Sequence, residues 1–363
     1  MISIIFAAAA AALATQCDLE APSGQPGCTR AVVDALKINQ IQAVGTHNSY
    51  KQAISPAQMA LLRSADPRQA DGLDYAHPPL TAQLEAGARQ LEIDVLNDPE
   101  GGRYAAPLAM KMANDLPYDL APLKGPGLKV MHVQDIDYRS SCPTFTGCLA
   151  EIRAWSKAQP DHLPLLILLN LKEGGLNVPG AVVAAPFDAK AMDAVDAEIL
   201  AVFGASDLIT PDDVQGRHAT LRQAVAAGAW PSLKAARGKV MFALDAPEAQ
   251  VALYRGRRAS LEGRAMFVNT DETSPAAGYI TLNEPKEDGG RIRAAVRAGL
   301  IVRTRADADT LEARSDDRTR QAAGFASGAQ FVSTDYMFAD PRRGPYQVRL
   351  PGDGVARRNP VAP

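Results

Sequence analysis

Short runs of apolar residues alternate with longer helix-like segments along most of the chain. Eight such runs are rich in Val, Ile and Leu, and they cover residues 40–46, 90–96, 128–134, 164–171, 239–244, 265–269, 300–304 and 330–334. Runs of this length and composition are typical of strands that are buried on both faces of a parallel sheet. Helical patterns precede several of them, at residues 80–88, 149–158, 189–203 and 289–298.

Eight strands separated by helices match the strand count of a closed (β/α)8 barrel, the TIM barrel. We therefore predict an α/β fold with one barrel domain at residues 38–340, after an N-terminal extension at 15–37 and before a C-terminal tail at 341–363. A single barrel of this kind often exceeds about 250 residues. The competing architecture is a doubly wound open sheet, which also alternates strands with helices.

Polar residues stand at the carboxyl ends of most of these runs. They are His47 and Asn48, Glu92 and Asp94, His132 and Asp135, Asn170 and Lys172, Asp245, Asn269 and Asp271, Arg303 and Arg305, and Asp335 and Tyr336. In a barrel the carboxyl ends of the strands converge on one mouth, where active sites lie. The recurrence of polar residues at these ends therefore predicts an enzyme.

Composition narrows the class of protein. The chain is 47% hydrophobic and 22% charged with a net charge of −3, so it lacks the clustered basic surface of a nucleic-acid-binding protein. After the N-terminus, no apolar run reaches the roughly 18 residues that a membrane-spanning helix needs. We expect a monomer that meets a membrane surface only transiently.

Residues 1–14 form an apolar run that ends in Ala-Leu-Ala, the pattern of a cleaved secretory signal peptide. A buried helix is the alternative interpretation. The four cysteines favour export, because two local disulfides, Cys17–Cys28 and Cys142–Cys148, suit an oxidising compartment. Other connectivities remain open at this point. The protein is therefore expected in the periplasm or outside the cell.

Two carboxylates share one face of the second run. Glu92 and Asp94 are two residues apart, so both side chains of a strand point to the same side. Together with Asn48 they form an all-oxygen donor set, which suits Ca²⁺ or Mg²⁺. The alternative is that they form ion pairs, with Arg89 or with the arginines of the seventh run.

Two histidines, His47 and His132, follow the first run and end the third. Placed at one barrel mouth, they can flank a single substrate atom, and one can accept a proton while the other donates one. The alternative is that each is a structural histidine with satisfied hydrogen bonds. Their position beside two carboxylates favours acid–base catalysis.

These residues resemble the motifs of the phosphatidylinositol-specific phospholipase C superfamily. The stretch 45–50, Gly-Thr-His-Asn-Ser-Tyr, is similar to the first catalytic motif, and residues 83–94 are similar to the second. The resemblance implies that His47 and His132 act on a phosphodiester, and that Asn48, Glu92 and Asp94 bind Ca²⁺. Metal-independent bacterial members carry an arginine at the position of Asp94, so the chain resembles the calcium-dependent bacterial branch.

The fourth run departs from the eukaryotic members, which carry a glutamate ligand at the position of Asn170. Asn170 is a candidate fourth ligand, and Glu173 is the alternative. Lys172, Arg303 and Tyr336 are candidate substrate contacts.

The resemblance implies a secreted phospholipase C that converts phosphatidylinositol-type lipids to diacylglycerol and a cyclic inositol phosphate. A soluble phosphodiester with the same headgroup is the other candidate substrate. His47 would act as general base and His132 as general acid. Two alternatives remain: a glycerophosphodiester phosphodiesterase, and a non-catalytic barrel that binds polyol phosphates.

Overall fold

The computed structural model describes residues 17–114 and 118–362, and among these residues ten strands form a single sheet. The strands are β1 (Ile41–Thr46), β2 (Gln90–Leu96), β3 (Lys129–Val130), β4 (Leu165–Lys172), β5 (Val240–Leu244), β6 (Met266–Val268), β7 (Tyr279–Thr281), β8 (Ile301–Arg305), β9 (Phe331–Thr334) and β10 (Ala356–Arg358). Eight of them run parallel in the order β6-β5-β4-β2-β1-β9-β8-β7. A single parallel bridge between Asn269 and Tyr279 joins β6 to β7. The strands thus form a nearly closed barrel, and the predicted (β/α)8 fold is confirmed.

The third predicted run is not a barrel strand, and the prediction is wrong at this position. Only β3 is extended there, and it pairs antiparallel with the last two residues of β2. The chain then turns back on itself, because the backbone N–H groups of His132 and Val133 both donate to the carbonyl of Asp137. As a result β2 pairs directly with β4 along its whole length.

The eighth barrel strand is β7, which the sequence pattern does not reveal. It has only three residues and a single aliphatic side chain, Ile280, so it lacks the apolar run that marks the other strands. The predicted count of eight is therefore correct, although one of the eight positions is not.

Helices fill the connections between the strands. They are α1 (Arg30–Asp34), α2 (Pro56–Ala65), α3 (Pro67–Leu73), α4 (Leu80–Glu85), α5 (Leu108–Ala113), α6 (Phe145–Ala158), α7 (Ala189–Val202), α8 (Pro211–Gln215), α9 (Leu221–Ala226), α10 (Leu233–Ala236), α11 (Glu248–Arg255), α12 (Pro285–Arg297), α13 (Leu311–Ser315) and α14 (Thr319–Ser327). Helix α6 begins four residues before its predicted start, because the hydroxyl of Thr144 accepts a hydrogen bond from the N–H of Gly147 and caps the first turn.

The chain on either side of the barrel packs against it. In the C-terminal segment, β10 pairs antiparallel with β1 over Ile41–Ala43, at the amino end of that strand. The predicted local disulfides, Cys17–Cys28 and Cys142–Cys148, are both present. Disulfides of this kind indicate an oxidising compartment rather than the cytosol. The predicted signal segment at 1–14 lies outside the described residues.

The described helices include none that combines the length and the apolar character needed to cross a bilayer.

Candidate active site

The first histidine lies directly after β1, at the carboxyl end of the barrel. Nδ1 of His47 is 2.7 Å from Oδ1 of Asp335, and Nε2 is 3.6 Å from Oε1 of Glu92. Burial, together with the positive charges of Arg305 and Arg303, lowers the pKa of His47 well below its usual value. The imidazole is therefore neutral near pH 7, which is the state that can accept a proton.

The second histidine reaches the same place from the turn after β3. Nδ1 of His132 is 2.8 Å from Oδ2 of Asp137, whose other oxygen is 3.2 Å from the ammonium of Lys51. Lys51 and other groups lower the pKa of Asp137 although burial opposes the shift, so this carboxylate is ionised. Both histidines line one cavity of about 460 Å³.

That cavity lies over the barrel mouth, and most of the residues that line it are polar or charged. Its other lining residues are Asp66, Arg68, Gln69, Gly72, Leu73, Tyr75, Arg305, Asp309, Leu311, Arg314 and Asp335. The structure thus brings His47 and His132 together, as the sequence predicts, although His132 does not arrive on a barrel strand.

Asn48 takes a left-handed backbone conformation with φ of 48°, which asparagine tolerates better than most residues. This conformation turns its side chain inward, where Nδ2 donates to the hydroxyl of Tyr75 at 2.8 Å. Its Oδ1 is buried and has no hydrogen-bond partner among the described residues. A buried carbonyl oxygen without a partner is costly unless a ligand satisfies it.

Glu92 and Asp94 lie on the same face of β2, as their spacing predicts. Oε1 of Glu92 accepts a hydrogen bond of 2.8 Å from Nδ2 of Asn170, and Oε2 forms an ion pair with Arg303. Burial raises the pKa of Glu92 to about 7, and the nearby charge of Asp94 adds to this effect while Arg303 opposes it.

The buried Asp94 carboxylate has an incomplete set of partners. Oδ2 of Asp94 is 2.8 Å from the ammonium of Lys172, yet neither oxygen accepts a hydrogen bond of standard geometry from a described residue. The charge of Asp94 raises the pKa of Lys172, although burial opposes this shift. The alternative interpretation of the two carboxylates, an ion pair with an arginine of the seventh run, therefore holds for Glu92, which pairs with Arg303. Arg89, the other candidate, pairs with Glu20 instead.

The residues present fit a calcium ion. Carboxylate and amide oxygens are the donors that Ca²⁺ prefers, and Asn48, Glu92, Asp94 and Asn170 supply only these. Residues 17–114 and 118–362 contain no cluster of three or more His, Cys, Asp or Glu arranged for metal binding. Amide oxygens would therefore have to complete the set of calcium ligands. Oδ1 of Asn48 is suited to this, because it is buried and has no hydrogen-bond partner among the described residues. The alternative ligand Glu173 is exposed and accepts a hydrogen bond from the N–H of Phe187.

A comparison with family models identifies the protein class. The model described as Ca²⁺-dependent phosphoinositide phospholipase C matches residues 36–360. The chain belongs to this family. As a phospholipase C of this type, the protein is a calcium-dependent enzyme that acts on phosphoric diesters.

Solved structures of similar fold include calcium-dependent phospholipases. The Pseudomonas sp. calcium-dependent phosphoinositol-specific phospholipase C, in a structure described as apo form and myoinositol complex, has a TM-score of 0.56 and 16% identity, over 89% of this chain and 96% of its own. The Streptomyces antibioticus Ca²⁺-dependent phosphatidylinositol-specific phospholipase C has a TM-score of 0.54 and 20% identity, over 83% of this chain and 95% of its own. At these identities the likeness shows the fold alone. A comparison with curated protein sequences gives no match.

The three candidate substrate contacts of this phospholipase lie in different surroundings. Lys172 is partly exposed beside Asp94. Arg303 is buried and donates to Asn283 and Ser333 as well as to Glu92. Tyr336 belongs to the hydrophobic core, where it packs edge-to-face on Tyr346 with a centroid distance of 5.6 Å. The structure therefore brings Lys172 and Arg303 to the carboxylates and does not bring Tyr336 there.

Sequence reasoning missed several residues that hold this site together. Tyr75 lies in the connection between α3 and α4, and its hydroxyl is 3.3 Å from Nδ1 of His47. Asp137 and Lys51 support the second histidine. Asp335 is visible in the sequence as a polar strand end, but only the fold shows that it faces His47.

Proposed function

We propose that this phospholipase cleaves phosphatidylinositol-type lipids to diacylglycerol and a cyclic inositol phosphate by acid–base catalysis between His47 and His132. One observation carries the proposal. Both imidazoles line the same cavity, and in each a buried carboxylate holds Nδ1. Each ring is thereby oriented with Nε2 available for proton transfer, since the other nitrogen is already occupied.

His47 is the proposed general base. Its lowered pKa keeps the ring neutral, so Nε2 can remove a proton from the inositol hydroxyl next to the phosphoester. The freed oxygen attacks phosphorus and forms the cyclic phosphodiester. Asp335, 2.7 Å from Nδ1, stabilises the imidazolium that results and fixes the ring orientation.

His132 is the proposed general acid. As the bond between phosphorus and the glycerol oxygen breaks, Nε2 of His132 gives its proton to the departing oxygen, and neutral diacylglycerol leaves. The carboxylate of Asp137, 2.8 Å from Nδ1, fixes the orientation of the ring and leaves Nε2 free to face the departing oxygen. One proton is taken up and one is released, so the enzyme returns to its starting state when the two rings exchange protons with solvent.

Asn48, Glu92 and Asp94, with Asn170, are the residues that would hold Ca²⁺. When bound, the cation neutralises charge on the phosphoryl group and lowers the pKa of the attacking hydroxyl. Lys172 and Arg303, beside the same carboxylates, are the proposed basic contacts to the phosphoryl oxygens. Because ion pairs with Asp94 and Glu92 already hold these two side chains in place, little side-chain entropy is lost when the substrate binds.

We also propose that the enzyme acts in the periplasm or outside the cell. Its two disulfides support this location, because they persist in oxidising compartments.

The decisive experiment compares wild-type protein with His47→Ala on phosphatidylinositol vesicles, in Ca²⁺ and in EGTA. Release of cyclic inositol phosphate should require Ca²⁺, and His47→Ala should lower kcat by about 10²- to 10⁴-fold. His218→Ala, in a connection outside the mouth, is the matched control and should keep full activity. Full calcium-dependent activity of His47→Ala would contradict the assignment of His47 as general base. Faster cleavage of glycerophosphoinositol than of the lipid would favour the glycerophosphodiesterase alternative.

A further inference from the structure

An apolar groove lies beside the catalytic cavity. Helices α2 and α5 and residues 176–179 enclose a volume of about 370 Å³. Its lining is mostly aliphatic and includes Leu61, Leu62, Leu108, Met112, Leu176 and Val178. We call this surface the aliphatic groove.

Three large side chains of the aliphatic groove are open to solvent. Met112 is 65% exposed, Val178 47% and Leu61 37%. Soluble proteins rarely leave contiguous apolar surface uncovered, and where they do it marks a binding site. We therefore interpret the groove as a binding surface for an apolar ligand.

The aliphatic groove and the catalytic cavity share one lining residue, Gln69, and are therefore neighbours. The lining of the cavity carries His47, Asp335 and Arg305, whereas the lining of the groove is mostly hydrocarbon. A ligand that extends from one into the other needs a charged end and an aliphatic end, which is the chemistry of a phospholipid.

We propose that the aliphatic groove takes an acyl chain of the lipid whose phosphodiester lies between His47 and His132. The proposal rests on the proposed function and adds to it, because the enzyme then binds the chain as well as the headgroup. A chain in the groove covers the exposed Met112 and Val178 and removes its own hydrocarbon from water. Apolar contact of this kind is favourable in proportion to the area buried. The enzyme should thus discriminate between lipids and chainless phosphodiesters that carry the same headgroup.

The test uses the double variant Met112→Glu/Val178→Glu. Both side chains are largely solvent-exposed, so the fold should tolerate the change, while two carboxylates repel an aliphatic chain. Leu200→Glu is the matched control, because Leu200 is 54% exposed and lies on α7, outside the groove. The substrates are dihexanoyl-phosphatidylinositol below its critical micelle concentration and 4-nitrophenyl myo-inositol 1-phosphate, which has no chain.

The double variant should lose at least tenfold in kcat/KM on the monomeric lipid and keep its kcat/KM on the nitrophenyl ester. Leu200→Glu should change neither value. Equal losses on both substrates, or no loss on the lipid, would overturn the proposal. So would a loss confined to long-chain vesicles, because the groove would then contact the membrane surface rather than hold a chain.

A binding measurement separates this proposal from the proposed function. In a His47→Ala background, calorimetry should show dihexanoyl-phosphatidylinositol binding at least tenfold more tightly than methyl myo-inositol 1-phosphate. Adding Met112→Glu/Val178→Glu should abolish the difference, and Leu200→Glu should preserve it. If His47→Ala still turns over lipid at the wild-type rate, the catalytic assignment fails, yet the binding comparison still decides the role of the groove.

Discussion

At the scale of single residues, one buried lysine connects the supports of both histidines. The ammonium of Lys51 is fully buried, lies 3.2 Å from Asp137 and donates to the backbone carbonyls of Leu73 and Tyr75. Asp137 holds His132, and the hydroxyl of Tyr75 reaches His47. We infer that Lys51 is a positioning residue, which fixes the two rings relative to each other although it does not line the cavity.

We expect Lys51→Met to lower kcat at least tenfold while KM for phosphatidylinositol changes less than threefold. The substitution keeps most of the side-chain volume but leaves Asp137 buried without its cation, which costs about 3–5 kcal/mol of stability. Both kcat and KM should be measured well below the lowered melting temperature, so that unfolding does not contribute.

Lys51→Arg restores the charge and should recover some of the lost kcat, which a purely packing role of Lys51 would not predict. The matched control is Lys111→Met, which removes an exposed lysine of α5 and should leave kcat unchanged. A rise in KM with unchanged kcat in Lys51→Met would contradict the positioning role.

At the scale of elements, the two disulfides serve different ends of the barrel. Cys142–Cys148 links the segment after the His132 turn to the start of α6. Next to Cys142, the backbone N–H of Ser141 donates to the carbonyl of Tyr50. Cys17–Cys28 closes the N-terminal extension, whose Glu20 pairs with Arg89 at the amino end of β2, away from the mouth.

Removing either bridge by Cys→Ser substitution should lower the free energy of unfolding by about 2–3 kcal/mol, because the closed loops are short. Only the Cys142→Ser/Cys148→Ser protein should also lose activity, by about threefold or more in kcat, since this disulfide anchors the segment that follows Asp137, the support of His132. Denaturant unfolding and steady-state kinetics check the two expectations. Cys17→Ser/Cys28→Ser is the matched control, and an equal loss of kcat in both proteins would contradict the distinction.

Whether the sequence pattern predicts a strand depends on the length of its apolar run and on whether the backbone turns within that run. Strand β4 begins with an unbroken aliphatic run, Leu165–Leu169, directly after Pro164, and a short run of this kind beside a proline favours a buried strand. Strand β7 has three residues and is held by its neighbours rather than by its own pattern. The run at 128–134 is apolar enough to suggest a strand, but the hydrogen bonds to the carbonyl of Asp137 turn it after β3. Only tertiary structure reveals that turn.

At the scale of the whole molecule, the sequence offers Arg89 and the arginines of the seventh run as partners of Glu92, and only the fold decides between them. Polar strand ends place Glu92 and Arg303 at one mouth, yet they are 211 residues apart in sequence. The barrel sets which cation meets which carboxylate. The motif similarly identifies His47 and Asn48, whereas Asp335 reaches His47 only because β9 pairs with β1.

The buried carboxylate of Asp307, behind the site, makes the free energy of unfolding depend on pH. Asp307 accepts hydrogen bonds from the hydroxyls of Thr334 and Tyr346 and from the N–H of Asp335. Burial, reinforced by the charge of Asp335, raises the pKa of Asp307 from 3.8 to about 7. Between these two values the folded protein binds more protons here than the unfolded chain does. The contribution of Asp307 to the free energy of unfolding therefore falls as pH rises through that range.

Asp307→Asn should remove this dependence, because an uncharged amide of the same shape resembles the protonated acid. The difference in melting temperature between Asp307→Asn and wild type should be small near pH 4, should grow in favour of the variant up to about pH 7, and should level off above that. Melting curves from pH 4 to 9 measure it, and taking the difference cancels the other titrating groups. Asp353→Asn, an exposed position, is the control and should follow wild type throughout. A difference that shrinks with rising pH would mean that Asp307 is stabilised as the anion by its three donors, with a lowered rather than a raised pKa.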